Sequence, residues 1–93
     1  MSGQLRDAAE GKGNFGIGTA TREESEMMGK AWVGKGGKVA SDGKTLVSAD
    51  KLRQYRPPSY KPRLGKTQAN FEQRFSGQQS NHWQSNAHLD ITD

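Results

Sequence analysis

The chain has 93 residues, of which 30% are hydrophobic, with 12 glycines, no cysteine and a formal net charge of +4. That length supports one small domain around a single lean core. The missing cysteines exclude a disulfide framework and a thiolate metal site, and no apolar run approaches the roughly 20 residues of a membrane-spanning helix.

Residues 1–18 open polar and become glycine-rich, which predicts a flexible entry segment ahead of a domain spanning 19–93. The opening MSGQLRDAAEGKG has no hydrophobic stretch of a secretory signal. Gly11, Gly13 and Gly16 satisfy G-x-G-x-x-G, but that fingerprint cradles a phosphate only after a buried strand and before a helix. The ten residues before Gly11 are polar, so the dinucleotide reading fails its context test.

Thr21–Val33 is predicted to be the helix. Thr21 and Glu24 have capping-box spacing, and Glu23, Glu24 and Glu26 place negative charge near the positive end of the helix dipole. Met28, Ala31 and Trp32 fall at i, i+3 and i+4, with Met27 beside them, as a stripe that docks on a sheet. Gly34 can end the helix.

Beyond the glycines at 34–37 the period changes from 3.6 to 2. Asp42-Gly43 between Lys38–Ser41 and Lys44–Ser48 predicts a hairpin with a two-residue type I′ turn. A second turn at Ala49–Lys51 leads into a strand over Leu52–Arg56, with Leu52, Gln54 and Arg56 on one side and Arg53 and Tyr55 on the other. Gln68–Phe75 is the next strand. Ala69, Phe71, Gln73 and Phe75 face the core, and Gln68, Asn70, Glu72 and Arg74 form a polar stripe. After a polar loop at Ser76–Asn81, a last strand starting at Trp83 or at His88 and ending at Ile91 puts Leu89 and Ile91 inward and His88 and Asp90 outward. The expected fold class is α+β: an N-terminal helix packed on one face of a four- to five-stranded antiparallel sheet, with solvent on the other.

The charge is concentrated. Leu52–Arg74 carries six of the fourteen basic residues against one acid, a local +5, while the remaining residues hold eight cations and nine acids. Tyr55, Tyr60 and Phe71 are interleaved with these charges, and Pro57, Pro58 and Pro62 stiffen the segment. A polyanion carrying flat bases suits this mixture, although a solvated face is the ordinary meaning of a basic run.

Metal-dependent hydrolysis has little support, since there is no His-x-x-x-His and no Asp-x-Asp; His82, Asn86 and His88 crowd into seven positions. No metal or other cofactor is expected. Serine nucleophile chemistry lacks G-x-S-x-G. RNA cleavage asks for less, because the 2′-hydroxyl is the nucleophile and the protein needs only proton transfer and cations around the phosphate. His88 can titrate near neutrality, Glu72 is the one carboxylate of the basic stretch, and Arg53, Arg56 and Arg74 can brace a phosphate bidentately.

Leu46–Pro62 (LVSADKLRQYRPPSYKP), Gln68–Arg74 (QANFEQR) and Trp83–Thr92 (WQSNAHLDIT) resemble the C-terminal toxin domains of bacterial contact-dependent growth inhibition and related haemagglutinin-like polymorphic toxins. NFGIGTA at 14–20 and AWVG at 31–34 extend the likeness. Relatives often carry Asp-Gly where this chain has Asp50-Lys51, and Asn-Gly where it has Asn86-Ala87. Many such domains are ribonucleases of the barnase, EndoU, colicin and RelE-like (BECR) superfamily, and several cleave transfer RNA.

The resemblance implies a barnase-like fold and a metal-independent endoribonuclease. It would be carried on a large secreted or cell-surface protein and act in the cytoplasm of a target bacterium. On the residue chemistry above, His88 is the expected general acid or base, with Arg53, Arg56, Glu72 and Arg74 completing the catalytic set. Tyr60, Lys61, Lys66, Gln68 and Asn70 would contact substrate. Expected partners are RNA, most of all transfer RNA, a cognate acidic immunity protein over Arg53–Arg74, and a host factor such as elongation factor Tu; no membrane insertion is expected. A non-catalytic RNA-binding module and a partner-binding domain with an incidental basic face are the alternatives.

Overall fold

The computed structural model describes residues 3–75 and 83–93. Along the chain these form α1 (Gly3–Glu10), β1 (Gly13–Ala20), α2 (Arg22–Val33), β2 (Lys38–Val39), β3 (Leu46–Val47), β4 (Arg53–Lys61), β5 (Lys66–Gln73) and β6 (Ser85–Ile91). The six strands make one sheet in the order β1-β6-β5-β4-β3-β2. The α+β expectation holds, with three corrections: a second helix precedes the expected one, the sheet has six strands where four or five were expected, and it is mixed, because β1 runs parallel to β6. The remaining pairs are antiparallel.

The stretch read as an entry segment therefore carries structure. Leu5 and Ala8 of α1 are buried, and β1 supplies Ile17 and Ala20 to the same core. The apolar alternation of β1 is thinned by glycine, and a bulge between Gly16 and Thr19 interrupts its period. Gly18, with φ 108°, occupies the extra position, where a Cβ would be strained. Gly11 leaves room for the Phe15 ring, so this glycine-rich run serves packing and register.

Helix α2 starts as predicted. Thr21 accepts a hydrogen bond from the Glu24 backbone N–H, and the Glu24 side chain accepts one from the Thr21 backbone N–H. At the other end Gly34 takes φ 72° and donates to the Lys30 carbonyl. The buried stripe differs from the predicted one: Ser25, Gly29, Trp32 and Val33 face the sheet, Met28 is half-buried, and Ala31 and Met27 are exposed. The reason is close approach. Gly29 lies against the Tyr55 ring, and Ser25 Oγ shares a 2.7 Å hydrogen bond with Tyr55 Oη, so the helix meets the sheet along its smallest residues.

Trp32 fills the centre of the core. Its indole N–H is shared between the carbonyls of Gln54 (3.1 Å) and Glu72 (3.2 Å) on neighbouring strands, and its ring meets Phe71 edge-on. Ala69, Phe71, Ala87 and Leu89 are fully buried beside it. Phe75, predicted to face the core, lies beyond the end of β5 and is exposed.

The first hairpin pairs Lys38 with Val47 and Val39 with Leu46. Its loop is longer than the predicted two residues, and only Gly43 of the Asp42-Gly43 pair has positive φ. Asp42 organises the loop instead: its carboxylate accepts from the Lys44 and Thr45 backbone N–H groups and from Thr45 Oγ1. These bonds hold its pKa down at about 2. The next turn follows the same scheme around Asp50, which accepts from Ser48 Oγ and the Leu52 N–H, and Lys51 takes φ 63°. The predicted polar loop at Ser76–Asn81 and His82 lie outside the described residues.

With both helices on one face of the sheet, the other face is left open over β1, β6, β5 and β4. Its side chains stand in rows fixed by register.

Candidate functional site

Cross-strand register builds three rows on the open face. Asn14, Asn86, Glu72 and Gln54 form one, and Gly16, His88, Asn70 and Arg56 the next. The third is Thr19, Asp90, Gln68 and Ser59. Side chains on one face of neighbouring strands stand close enough to bond, and here they do.

One irregularity decides which cation joins them. Between Arg56 and Ser59 the pairing with β5 shifts, so that Pro57 and Pro58 together stand opposite Ala69. Proline has no N–H to give to a ladder, and a bulge is where it is tolerated. A strict period of 2 from Arg56 would bring Tyr60 onto the open face. The extra residue reverses this, so Lys61 shares the face with Arg56, and Tyr60, 63% exposed, turns to the other side.

His88 sits in the middle row, next to a gap. On one side its neighbour is Gly16, where an added Cβ would meet nothing closer than 4.0 Å. On the other, His88 Nδ1 is 3.3 Å from Gln68 Oε1. The Gln68 amide is oriented by Asp90, whose Oδ1 accepts from Gln68 Nε2 at 2.7 Å. A carboxylate only accepts, so the amide must present its oxygen to the imidazole. Nδ1 then carries the proton, and Nε2 keeps the lone pair.

The surroundings also keep the ring neutral. Partial burial pushes the His88 pKa below its ordinary 6.5, and the Lys61 and Arg56 charges push it further down, against weaker opposing effects of Asp90 and Glu72. A neutral amide intervenes between Asp90 and the ring, so the carboxylate reaches His88 indirectly through Gln68.

Glu72 is 5% exposed and is committed to its neighbours. Its Oε1 accepts from Gln54 Nε2 at 2.8 Å and lies 2.7 Å from Arg56 Nε, an ion-pair contact whose N–H is not directed along the line. This carboxylate anchors the Arg56 guanidinium while nearly half of the Arg56 side chain stays exposed. Asn70 is buried and donates to Asn86 Oδ1 at 2.9 Å. Lys66 pairs with Asp90 at 3.2 Å, and that bond with the Gln68 contact holds Asp90 below the usual carboxylate range.

The predicted residues therefore divide. His88, Arg56, Glu72, Asn70, Gln68, Lys61 and Lys66 belong to the open face. Arg53 lies on the helix face, its guanidinium 4.2 Å over the Trp32 ring and its Nε donating to Gln73 Oε1. Arg74 follows the end of β5, donates from Nε to the Lys51 carbonyl and stacks 4.5 Å over Trp83. Neither brings its charge to bear among the groups that shift His88. The expectation missed Asp90 as the group that orients Gln68, and Gly16 as the gap beside His88. The outward alternation of His88 and Asp90 was a signal for the first. Nothing in the sequence signalled the second, because it depends on β1 pairing in parallel with β6.

Among the described residues no three His, Cys, Asp or Glu side chains gather as a metal site needs, and no helix is long and apolar enough to cross a membrane. Comparison of the chain with protein-family models, characterised proteins and solved structures gives no match.

Proposed function

We propose that this domain is an endoribonuclease working on the open face, with His88 as general base and Arg56 and Lys61 as the phosphate-holding cations. The observation that carries the reading is a neutral imidazole with Nδ1 already occupied, set beside two cations and an empty position. His88 Nε2 takes the proton of the RNA 2′-hydroxyl, and the 2′-oxygen attacks phosphorus. The P–O5′ bond breaks, the 5′-oxygen leaves with a proton from water, and a 2′,3′-cyclic phosphate remains. No step of this scheme requires a metal, because the substrate brings its own nucleophile. Arg56 and Lys61 offset the charge that grows on the phosphate oxygens.

The biological setting rests on the resemblance of Leu46–Pro62, Gln68–Arg74 and Trp83–Thr92 to polymorphic toxin domains of the barnase-like superfamily. In that setting the substrate is transfer RNA in a target bacterium, a host factor such as elongation factor Tu can assist, and an acidic immunity protein covers the basic face. An inhibitor must find the toxin before the toxin finds RNA, and charge complementarity raises association rates. Arg56→Glu with Arg63→Glu should slow association with both RNA and the inhibitor; an unchanged inhibitor rate would place its docking site elsewhere.

The direct test is incubation with total RNA in the presence of a chelator. Discrete fragments ending in cyclic phosphate are expected, and His88→Ala should lower their formation by roughly two to four orders of magnitude. A mobility shift without fragments would instead favour a non-catalytic RNA-binding module, for which the exposed Tyr60 ring, on the face opposite Lys61, is a stacking group. Cleavage at the wild-type rate in His88→Ala would remove His88 from the reaction.

A further inference from the structure

Arg53 and Arg74 are separated from the His88 face, and what surrounds them is a site of its own. Both line a cleft of about 400 Å³ at the C-terminal end of α2, together with Trp32, Leu52, Gln73 and Phe75. That volume falls within the range of small-ligand sites.

Each guanidinium is fixed in the same manner. One indole lies under each, Trp32 beneath Arg53 at 4.2 Å and Trp83 beneath Arg74 at 4.5 Å. Each Nε is spent on an anchor, the Gln73 side chain for Arg53 and the Lys51 carbonyl for Arg74. Gln73 is itself held, donating from Nε2 to the Ala9 carbonyl. The anchoring leaves donors over: Arg74 Nη1 is buried and has no hydrogen-bond partner. A buried donor left unpaired is unfavourable, and a charged one more so. Asp50 is the acid of the lining; its Oδ1 accepts from Ser48 and Leu52, and its charge acts on Arg53.

We propose that this cleft is a phosphate-binding site distinct from the open face, taking the terminal phosphate of a nucleotide or of an RNA strand. Two fixed guanidiniums choose phosphate over carboxylate on geometry. A carboxylate has two oxygens, which one guanidinium fork already fills, whereas a terminal phosphate has three and carries more charge. The stacked arrangement holds the forks in place before the ligand arrives, which lowers the entropy cost of binding. Phe75, 42% exposed at the rim, offers an apolar surface for the flat base of the same ligand. The site stands independently of the reaction assigned to His88.

The chain has two tryptophans, and each lies under one of these arginines, so indole emission reports on the cleft directly. The probes are inorganic phosphate, adenosine 5′-monophosphate, a short 5′-phosphorylated 2′-O-methyl RNA that cannot be cleaved, and acetate as the carboxylate control. Saturable quenching is expected with at least one phosphate-bearing probe. Saturation by phosphate or the mononucleotide identifies a free-nucleotide source, and saturation by the oligomer alone identifies the terminal phosphate of a strand. Arg53→Gln and Arg74→Gln should each weaken the response at least tenfold, and Arg74→Lys, which keeps the charge without the fork, should do the same. Circular dichroism of each variant checks that it folds, while Lys44→Gln, outside the cleft lining, should respond like the parent. Absence of saturable quenching by every phosphate probe, an equal response to acetate, or retained affinity in folded Arg53→Gln and Arg74→Gln would overturn the proposal.

Discussion

Gly29 shows how one residue sets the distance between helix and sheet. A Cβ there would overlap the Tyr55 ring, and overpacking of this kind costs about 1–3 kcal/mol. Gly→Ala inside a helix otherwise gains roughly 1 kcal/mol in propensity. Gly29→Ala is therefore expected to lower the melting temperature despite the better helix former, and Gly29→Ala with Tyr55→Leu to recover part of the loss. A single variant melting at or above the parent would show that the helix can move away without penalty. His88 gives a second expectation at this scale. Because its folded pKa lies below the ordinary 6.5, the midpoint of the acid loss of cleavage, as the base is protonated, should lie below pH 6.5. Gln68→Glu would put a carboxylate against Nδ1 and favour the imidazolium. The ring titration, followed by NMR, should move upward in that variant; an unmoved titration would break the link between Gln68 and His88.

Of the four strands that carry the site, two owe the placement of their side chains to a bulge. In β4 the extra residue at Pro57-Pro58 brings Lys61 to the open face, and in β1 the irregularity after Gly16 re-aligns the strand while leaving the gap beside His88. Gly16→Val tests that gap without disturbing the core, since an added Cβ meets nothing closer than 4.0 Å and valine suits a strand. Thermal stability should be unchanged or slightly higher, and RNA cleavage should fall at least tenfold. Full cleavage in Gly16→Val would mean that substrate does not enter beside β1. For α2 the reciprocal cap is the feature to measure: Thr21→Ala should cost about 1 kcal/mol, a loss readable in denaturant unfolding.

At the scale of the molecule, charge and pH act together. RNA held through Arg56, Lys61, Arg63 and Lys66 should lose affinity with salt along a logarithmic slope of roughly −3, near −0.7 per contact for single strands; a flat dependence would show that these cations do not meet phosphates. Stability should also fall in two acid stages. The unfolded state takes up a proton at His88 before the folded state does, so that contribution is complete above about pH 6.5 and lost as pH falls through the lower folded value. Asp42, Asp50 and Asp90 all have pKa values below their ordinary 3.8 when folded. Their contributions are present above that value and lost as pH falls through the folded ones. Denaturant midpoints measured from pH 8 to pH 2 should show both declines, and a midpoint independent of pH would contradict the loop hydrogen bonds around Asp42 and Asp50.

Local features of this protein were legible in the sequence because they depend on neighbours along the chain. Thr21 and Glu24 cap the helix, the alternation at His88–Ile91 sorts core from open face, and Gln68, Asn70 and Glu72 share one side of a strand for the same reason. The tertiary structure alone decided what joins distant segments. Parallel pairing of β1 with β6 put Gly16 beside His88, and the bulge at the two prolines exchanged Tyr60 for Lys61. Arg53 was already on the Tyr55 side by strand period, yet its cleft required Trp32, Arg74 and Trp83 from three other segments. A bulge costs the sequence only one extra residue and reverses every later side chain of its strand, so a period read along the chain holds only as far as the pairing stays regular.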